Sequence, residues 1–125
     1  MPAPGFSQIR SESATWKRLL SFLMDENIHL KNRMSEILKA DCDTRLLSKL
    51  ETFQTSFIHT DTLVALLRND VVEFDKRLNT DTQGEQFFNK NIAHWLQRMR
   101  RNINAAERTF NQRQTAFNDY LSENI

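Results

Sequence analysis

The fold of this protein is decided by residues 43–78, which read DTRLLSKLETFQTSFIHTDTLVALLRNDVVEFDKRL. Apolar side chains recur in this stretch at alternating steps of four and three residues, from Leu46 to Leu78, with Thr60 as the polar member of the series. This spacing predicts one amphipathic α-helix. At about 1.5 Å per residue the helix would be roughly 50 Å long, so its apolar stripe needs other helices to cover it.

The same heptad spacing occurs on both sides of this stretch, over 16–37 and over 88–120. Short polar segments that are rich in Asp, Asn, Thr and Gly separate the three stripes. Short connections favour antiparallel neighbours. The sequence therefore predicts an all-α protein, an antiparallel up-down-up bundle that dimerisation would extend into a larger one. Its three long helices are expected near 12–40, 43–79 and 85–122.

Composition agrees with a single helical domain. The chain has 125 residues, which suits one domain, and its 2 Gly and 2 Pro are too few for the turns of a multi-stranded sheet. Nine Phe argue against disorder. We expect residues 12–125 to form one bundle and residues 1–11, which contain both prolines, to be a flexible leader that precedes it.

Several features favour a cytoplasmic protein without catalytic activity. The sequence has neither a secretory signal pattern nor the run of ~20 apolar residues that crosses a bilayer. Cys42 is the single cysteine, so no internal disulfide forms, and Asp41 and Asp43 should raise its thiol pKa and make it unreactive. The sequence contains no nucleophile motif, glycine-rich phosphate loop or paired-cysteine site. We therefore predict no enzymatic activity and no cofactor.

A polar layer is expected in the middle of the bundle. Asn27 occupies a stripe position, and Ser56, Thr60 and Thr109 fall within about one turn of its level. A polar residue at a core position often specifies helix register and pairing at some cost in stability. We interpret the layer in this way, with a small polar ligand cavity as the alternative.

One mixed set of side chains raises the question of a metal site. Glu26, His59 and Glu107 lie near one level, and two carboxylates with an imidazole are able to bind a transition metal. However, these residues flank the stripes, and the doubled Glu-x-x-His pattern of helical carboxylate sites is absent. The other two histidines, His29 and His94, belong to different levels. The sequence therefore predicts no metal site.

The third predicted helix contains a basic cluster, Trp95–Arg101, reading WLQRMRR. A basic amphipathic helix is able to contact phosphates or a membrane surface, which makes a nucleic-acid or membrane-surface binder an alternative function. Three arginines are few, however, and Arg98 and Arg101 share a face that Asp70 of the second helix would neutralise. The net charge of +1 also gives no general attraction to nucleic acid.

An excess of apolar residues at one level favours protein association. A three-helix core needs one stripe from each helix, which leaves Phe22, Leu63 and Leu66 without an internal place. Leftover apolar surface indicates a partner, and a two-fold homodimer covers the same patch on both subunits. Alternatively, Phe6 and Ile9 of the leader fold back over the patch. The leading hypothesis is a helical bundle that acts through protein–protein association; a helical metal or small-ligand protein is a further alternative.

Overall fold

The computed structural model of the protein describes residues 5–40, 43–80 and 90–125. These residues form three long α-helices: α1 spans Phe6–Lys39, α2 spans Thr44–Thr80 and α3 spans Lys90–Asn124. All regular structure in the described residues is α-helical, which confirms the predicted all-α class and the number of helices. The nine residues 81–89 lie outside the described part, so the predicted start of the third helix near 85 stays a prediction.

The predicted N-terminal boundary of the first helix is wrong by six residues. The helix begins at Phe6 rather than at residue 12, so residues 6–11 are not a leader. Ile9 and Ser13, each 1% exposed, continue the heptad stripe toward the N-terminus and are buried with it. Ile9 packs in the core and does not cover the exposed apolar residues. Residues 1–4 and the side chain of Phe6 lie outside the described residues.

Asp43 caps α2, as its position before the helix suggests. The backbone N–H of Arg45 donates to Asp43 Oδ1 over 2.9 Å, which satisfies one of the unpaired N–H groups of the first turn. The Arg45 guanidinium also donates to both carboxylate oxygens and holds the pKa of Asp43 below its usual range. α2 then continues through Thr60, whose hydroxyl donates to the carbonyl of Ser56 within the same helix. Asp41 and Cys42 lie outside the described residues, so the expected unreactive thiol stays a prediction.

Contacts between helices connect the start of α1 with the end of α2. In the same way, they connect the end of α2 with the start of α3. Lys17 of α1 pairs with Asp75, and Lys31, two heptads later, pairs with Asp61, two heptads earlier on α2. The register of this pair is therefore constant over four turns. Two aromatic groups fix α3 against α2, and α1 reaches α3 through the ion pair Glu12–Arg100. The first group is Trp16, Phe74 and Trp95, and the second is Phe53, Phe57, Phe117 and Tyr120.

The buried apolar side chains of all three helices form one continuous core. Its members follow the heptad stripes, which explains why three helices of 34 to 37 residues stay together along their length. Near the end of α3 the buried side chain is Leu121, while Tyr120, the predicted last stripe position, is half-buried beside it. The largest fully buried side chains of the core are Phe57, Phe74, Phe110 and Phe117.

Near the start of α1, the side chain of Ser13 forms a polar contact with Asp75 of α2. Ser13 Oγ donates to Asp75 Oδ1 over 2.5 Å, and Asp75 also pairs with Lys17 and stays 21% exposed. Because Asp75 keeps both Lys17 and water when the hydroxyl is removed, Ser13→Ala should lower the free energy of unfolding by only about 0.5–1.5 kcal/mol. Urea unfolding followed by circular dichroism measures the change. A loss above about 3 kcal/mol would show that the pair with Lys17 does not satisfy Asp75.

Candidate functional site

The middle of the bundle contains a polar network centred on Asn27, which is fully buried at 0% exposure. Its Nδ2 group donates to the carbonyl of Phe57 over 2.9 Å and to Asp61 Oδ1 over 2.7 Å. Lys31 Nζ donates to the other oxygen of Asp61 over 2.5 Å. Asn27 thus ties α1 to α2 through one amide, with a half-exposed ion pair at the rim.

Arg113 of α3 enters the same layer from the other side. Its Nη1 group donates to Thr60 Oγ1 over 2.7 Å and to the carbonyl of Ser56 over 3.2 Å. The structure therefore brings Ser56 and Thr60 to the level where Asn27 lies, and it adds a cation. Thr109 is half-buried, and no hydrogen bond joins it to the described members of the layer.

Asp61, Lys31 and Arg113 were absent from the predicted polar layer. Arg113 occupies a stripe position of α3, so the heptad pattern alone marks it as a polar residue directed into the bundle. Asp61 and Lys31 sit beside the stripes on facing helices, where oppositely charged side chains meet once the register is known. Prediction of Asp61 and Lys31 as members of the polar layer therefore required the register of α1 against α2.

One atom of this network is unsatisfied. Asn27 Oδ1 is buried and has no hydrogen-bond donor among the described residues. A buried acceptor without a partner costs about 1–3 kcal/mol. A layer that carries this cost does not maximise stability, which is typical of a polar position that specifies how helices pair.

The three side chains that were considered as metal ligands, Glu26, His59 and Glu107, lie at the edge of the bundle. His59 is exposed, and Glu26 and Glu107 are half-buried. No group of three or more His, Cys, Asp or Glu side chains within residues 5–40, 43–80 and 90–125 is placed to hold a metal ion. One surface groove of about 320 Å³ is lined by Glu73, Lys76, Arg77 and Trp95. Its charged lining differs from the mostly apolar lining of small-molecule pockets.

Leu63 does not belong to the exposed patch predicted around Phe22, Leu63 and Leu66. Phe22 and Leu66 are 56% and 57% exposed, but Leu63 is half-buried and packs on the core. Leu63 lies seven residues after Ser56, whose carbonyl accepts from Arg113. It therefore lies on the side of α2 that faces α3.

Phe22 and Leu66 also lie on different sides of the molecule. On α1 the row that begins with Glu12 faces α3, because Glu12 pairs with Arg100, and Phe22 lies just outside that row. On α2 the row of Leu63 faces α3, and Leu66 lies just outside it. α3 therefore stands between Phe22 and Leu66. Phe22 and Leu66 share a level of the bundle, as the sequence predicted, but they do not form one patch.

A different surface, between α1 and α2, collects exposed apolar side chains. Ile28 of α1 is 42% exposed, and Ile58 and Val72 of α2 are 52% and 44% exposed. Each lies three residues before Lys31, Asp61 or Asp75, the residues whose ion pairs join the two helices. They therefore flank this line of ion pairs. We call this surface the α1–α2 face and define it by the residues Ser21, Ile28, Ser35, Ile58, Ala65 and Val72.

The charges along the α1–α2 face are largely compensated within the chain. Lys17 pairs with Asp75 and Lys31 with Asp61. Between these pairs Arg68 lies against Met24, with 3.3 Å from Nη1 to Sδ. Arg68 is exposed and forms no ion pair with the other described residues, while the remaining ions of this line are paired. The surface therefore exposes apolar and small side chains with few uncompensated charges, which is the composition expected of an association surface.

The basic side of α3 differs from its prediction. Arg98, Arg101 and Asp70 are all exposed, and the expected ion pair with Asp70 does not form between these described residues. Arg100 instead reaches α1, where its Nε donates to Glu12 Oε1 over 2.5 Å, and this hydrogen bond raises the pKa of Arg100. Trp95 turns inward and packs edge-on against Phe74.

These observations define a class of protein, an all-α chain of three long helices with a buried polar layer. Within its described residues, no helix has the length and apolar character that a membrane-spanning segment requires. Comparisons with protein-family models, with curated proteins and with solved structures found no match to this chain.

Proposed function

We propose that this protein acts by protein–protein association, first of all with a second copy of itself, and that it performs no chemistry of its own. The observation that carries the proposal is the α1–α2 face, on which Ile28, Ile58 and Val72 are exposed around ion pairs that are satisfied within the chain. Covering these side chains removes apolar area from water without separating any charge pair.

The size of the α1–α2 face fits a weak dimer. The residues that define the face span 15 positions on each helix, from Ser21 to Ser35 and from Ile58 to Val72, or roughly 22 Å, and two adjacent helices present a surface roughly 20 Å wide. The contact would bury on the order of 450 Å² on each copy. The total, roughly 900 Å², lies below the standard range for stable specific complexes, so the dimer is expected to be weak and transient.

Two-fold symmetry suits the arrangement of the α1–α2 face. A two-fold axis parallel to the helices sets α1 of one copy against α2 of the other, so that Ile28 of one copy lies near Ala65 of the other, at a level between Ile58 and Val72, and both copies use the same surface. Two up-down-up bundles joined in this way place four helices at the contact and α3 of each copy on the outside. The same face would equally bind a helical pair of another protein.

The test of this proposal is a matched pair of double variants. Ile28→Glu with Ile58→Glu should convert the dimer to a monomer, because it buries four carboxylates without partners at the two-fold contact. Phe22→Glu with Leu66→Glu makes the same change of charge on exposed residues outside the face and should leave the dimer intact. Light scattering and sedimentation at ~10–100 μM give the masses, a range that populates a micromolar dimer.

The possible results of this test distinguish the location of the contact from the existence of self-association. Loss of the dimer in the Phe22 and Leu66 variant alone would move the contact to the grooves beside α3. A natural chain that stays monomeric at ~100 μM would contradict self-association, and capture of a partner that Ile28→Glu abolishes would then assign the face to another protein.

A further inference from the structure

The outward face of α3 has an unusual composition. All its side chains are exposed, and between residues 91 and 118 it contains three arginines, one histidine and six amides. The first acid on the same face is Asp119, which lines one groove with Asn111, Gln112 and Thr115. We call this surface the outer face of α3. Its members are Asn91, His94, Gln97, Arg98, Arg101, Asn104, Ala105, Arg108, Asn111, Gln112, Thr115 and Asn118.

The three arginines of this face are not used within the described fold. Arg100 and Arg113, on the inward side of the same helix, bind Glu12 and the polar layer. Arg98, Arg101 and Arg108 are exposed and form no ion pair with the other described residues. The helix thus separates its cations into an inward set that holds the bundle together and an outward set that faces solvent.

We propose that the outer face of α3 binds duplex DNA, with the arginines on phosphates and the amides facing the base edges. All three arginines lie within residues 91–112, where the face has no exposed acid, and such positive charge is complementary to a phosphate backbone. Asn and Gln side chains are able to contact both phosphates and the edges of bases. This inference does not depend on self-association, since the α1–α2 face lies on the other side of the bundle.

The dimensions of the helix agree with a groove. Arg98 and Arg108 are ten residues apart, which is about 15 Å along the helix axis. Gln97, Asn104, Asn111 and Asn118 recur every seven residues and form one row, at intervals of about 10.5 Å. An α-helix fits the major groove of B-form DNA, which is about 12 Å wide and has phosphates along both walls.

Comparison with three other polyanionic ligands, a membrane surface, a single strand and duplex RNA, favours duplex DNA. Membrane-surface helices insert Trp, Phe or Leu, and the exposed apolar side chains on this side of α3 are the small Ala105 and Ala116. Single strands are bound by stacking on aromatic rings, and Trp95 packs inward against Phe74. Duplex RNA has a major groove too deep and narrow for a helix.

The number of arginines sets the expected strength. Each neutralised phosphate contributes about −0.9 to the slope of log K against log salt, so three contacts predict a slope of about −2.7. Binding with so few contacts is weak and belongs to the range of non-specific affinities, about 10⁻⁴–10⁻⁶ M at physiological salt.

Fluorescence anisotropy with a labelled 20-base-pair DNA duplex tests the proposal over ~30–200 mM salt. The triple variant Arg98→Gln, Arg101→Gln, Arg108→Gln should bind at least about ten-fold more weakly at low salt, and its salt slope should fall toward zero. The matched control replaces Arg18, Arg33 and Lys39 of α1 by Gln. It loses the same charge on exposed residues and should keep most of the affinity and the slope.

Several results would overturn the proposal. Equal losses in the two triple variants would mean that net charge alone is responsible. Failure of the natural chain to bind the duplex at ~100 μM and low salt would exclude the site, and stronger binding to a single strand, to duplex RNA or to phosphatidylserine vesicles would assign the face to that ligand instead. Circular dichroism confirms that each variant is folded. The Ile28→Glu and Ile58→Glu variant should still bind DNA, so failure of the dimer and failure of this site are distinguishable.

Discussion

Asn27→Asp is expected to lower the free energy of unfolding at pH 7 by about 3–5 kcal/mol. Asn27 is fully buried, and its Nδ2 group donates to Asp61 and to the carbonyl of Phe57. A carboxylate at this position offers acceptors where both partners are themselves acceptors. It therefore places a buried negative charge against that of Asp61, and Lys31, already bound to Asp61, sits at the rim.

The destabilisation should depend on pH in a defined direction. Burial and the charge of Asp61 both disfavour ionisation, so the introduced carboxyl has a higher pKa in the folded chain than in the unfolded chain. Such a group stabilises the folded state fully below its unfolded pKa, and this contribution is lost as pH rises through the folded pKa. The stability of Asn27→Asp relative to the natural protein should thus recover as pH falls from 7 toward 4. Chemical unfolding at several pH values measures this.

Asn27→Leu is the matched control for the same site. It removes the unsatisfied Oδ1 along with two hydrogen bonds, and the carbonyl of Phe57 keeps its place in the helical hydrogen-bond series. Its stability should equal or exceed that of the natural chain, while register or oligomer choice becomes less specific, as for polar positions in coiled coils. Thermal unfolding and mass are measured together. A large loss of stability with unchanged mass would show that the network itself holds the helices.

The heptad pattern was sufficient to predict the helices because burial in a bundle repeats with the helical period. Leu50 and Phe57 of the stripe are buried, and so is the polar Thr60. The start of α1 was missed because both prolines of the chain lie in residues 1–11, which made the whole segment resemble a flexible leader, although α1 already begins at Phe6. Ser13 is a polar residue by type, but in the bundle it occupies a buried stripe position and binds Asp75.

The surfaces were harder to predict than the core, for a geometric reason. The level of a residue follows from counting along antiparallel helices, but its side of the molecule depends on which neighbour each flank of the helix faces. Phe22 and Leu66 share a level and are separated by α3. Ile28 lies between Asn27 and His29, and Ile58 directly follows the stripe residue Phe57, so neither is prominent in the sequence. They come together only when the α1–α2 register is fixed.

Phe57→Ala is expected to have an effect as large as that of Asn27→Asp, about 3–5 kcal/mol, through loss of packing rather than through charge. The ring of Phe57 is 1% exposed, lies 5.0 Å from the ring of Phe117 at 85°, and lies 6.5 Å from the ring of Phe53. Removing it leaves a cavity between α2 and α3 beside the polar layer, and rigid helices on both sides limit collapse.

Phe57→Leu and Phe22→Ala are the controls that identify the cause. Phe57→Leu retains most of the buried volume and should lose much less stability than Phe57→Ala, while Phe22→Ala changes an exposed ring and should stay within about 0.5 kcal/mol. Urea unfolding at two protein concentrations separates this effect from dimer dissociation, because a packing defect inside one chain is independent of concentration. Equal losses for Phe57→Ala and Phe22→Ala would contradict the assignment of Phe57 to the core. A loss for Phe57→Ala that vanishes on dilution would place its contribution in the contact between copies.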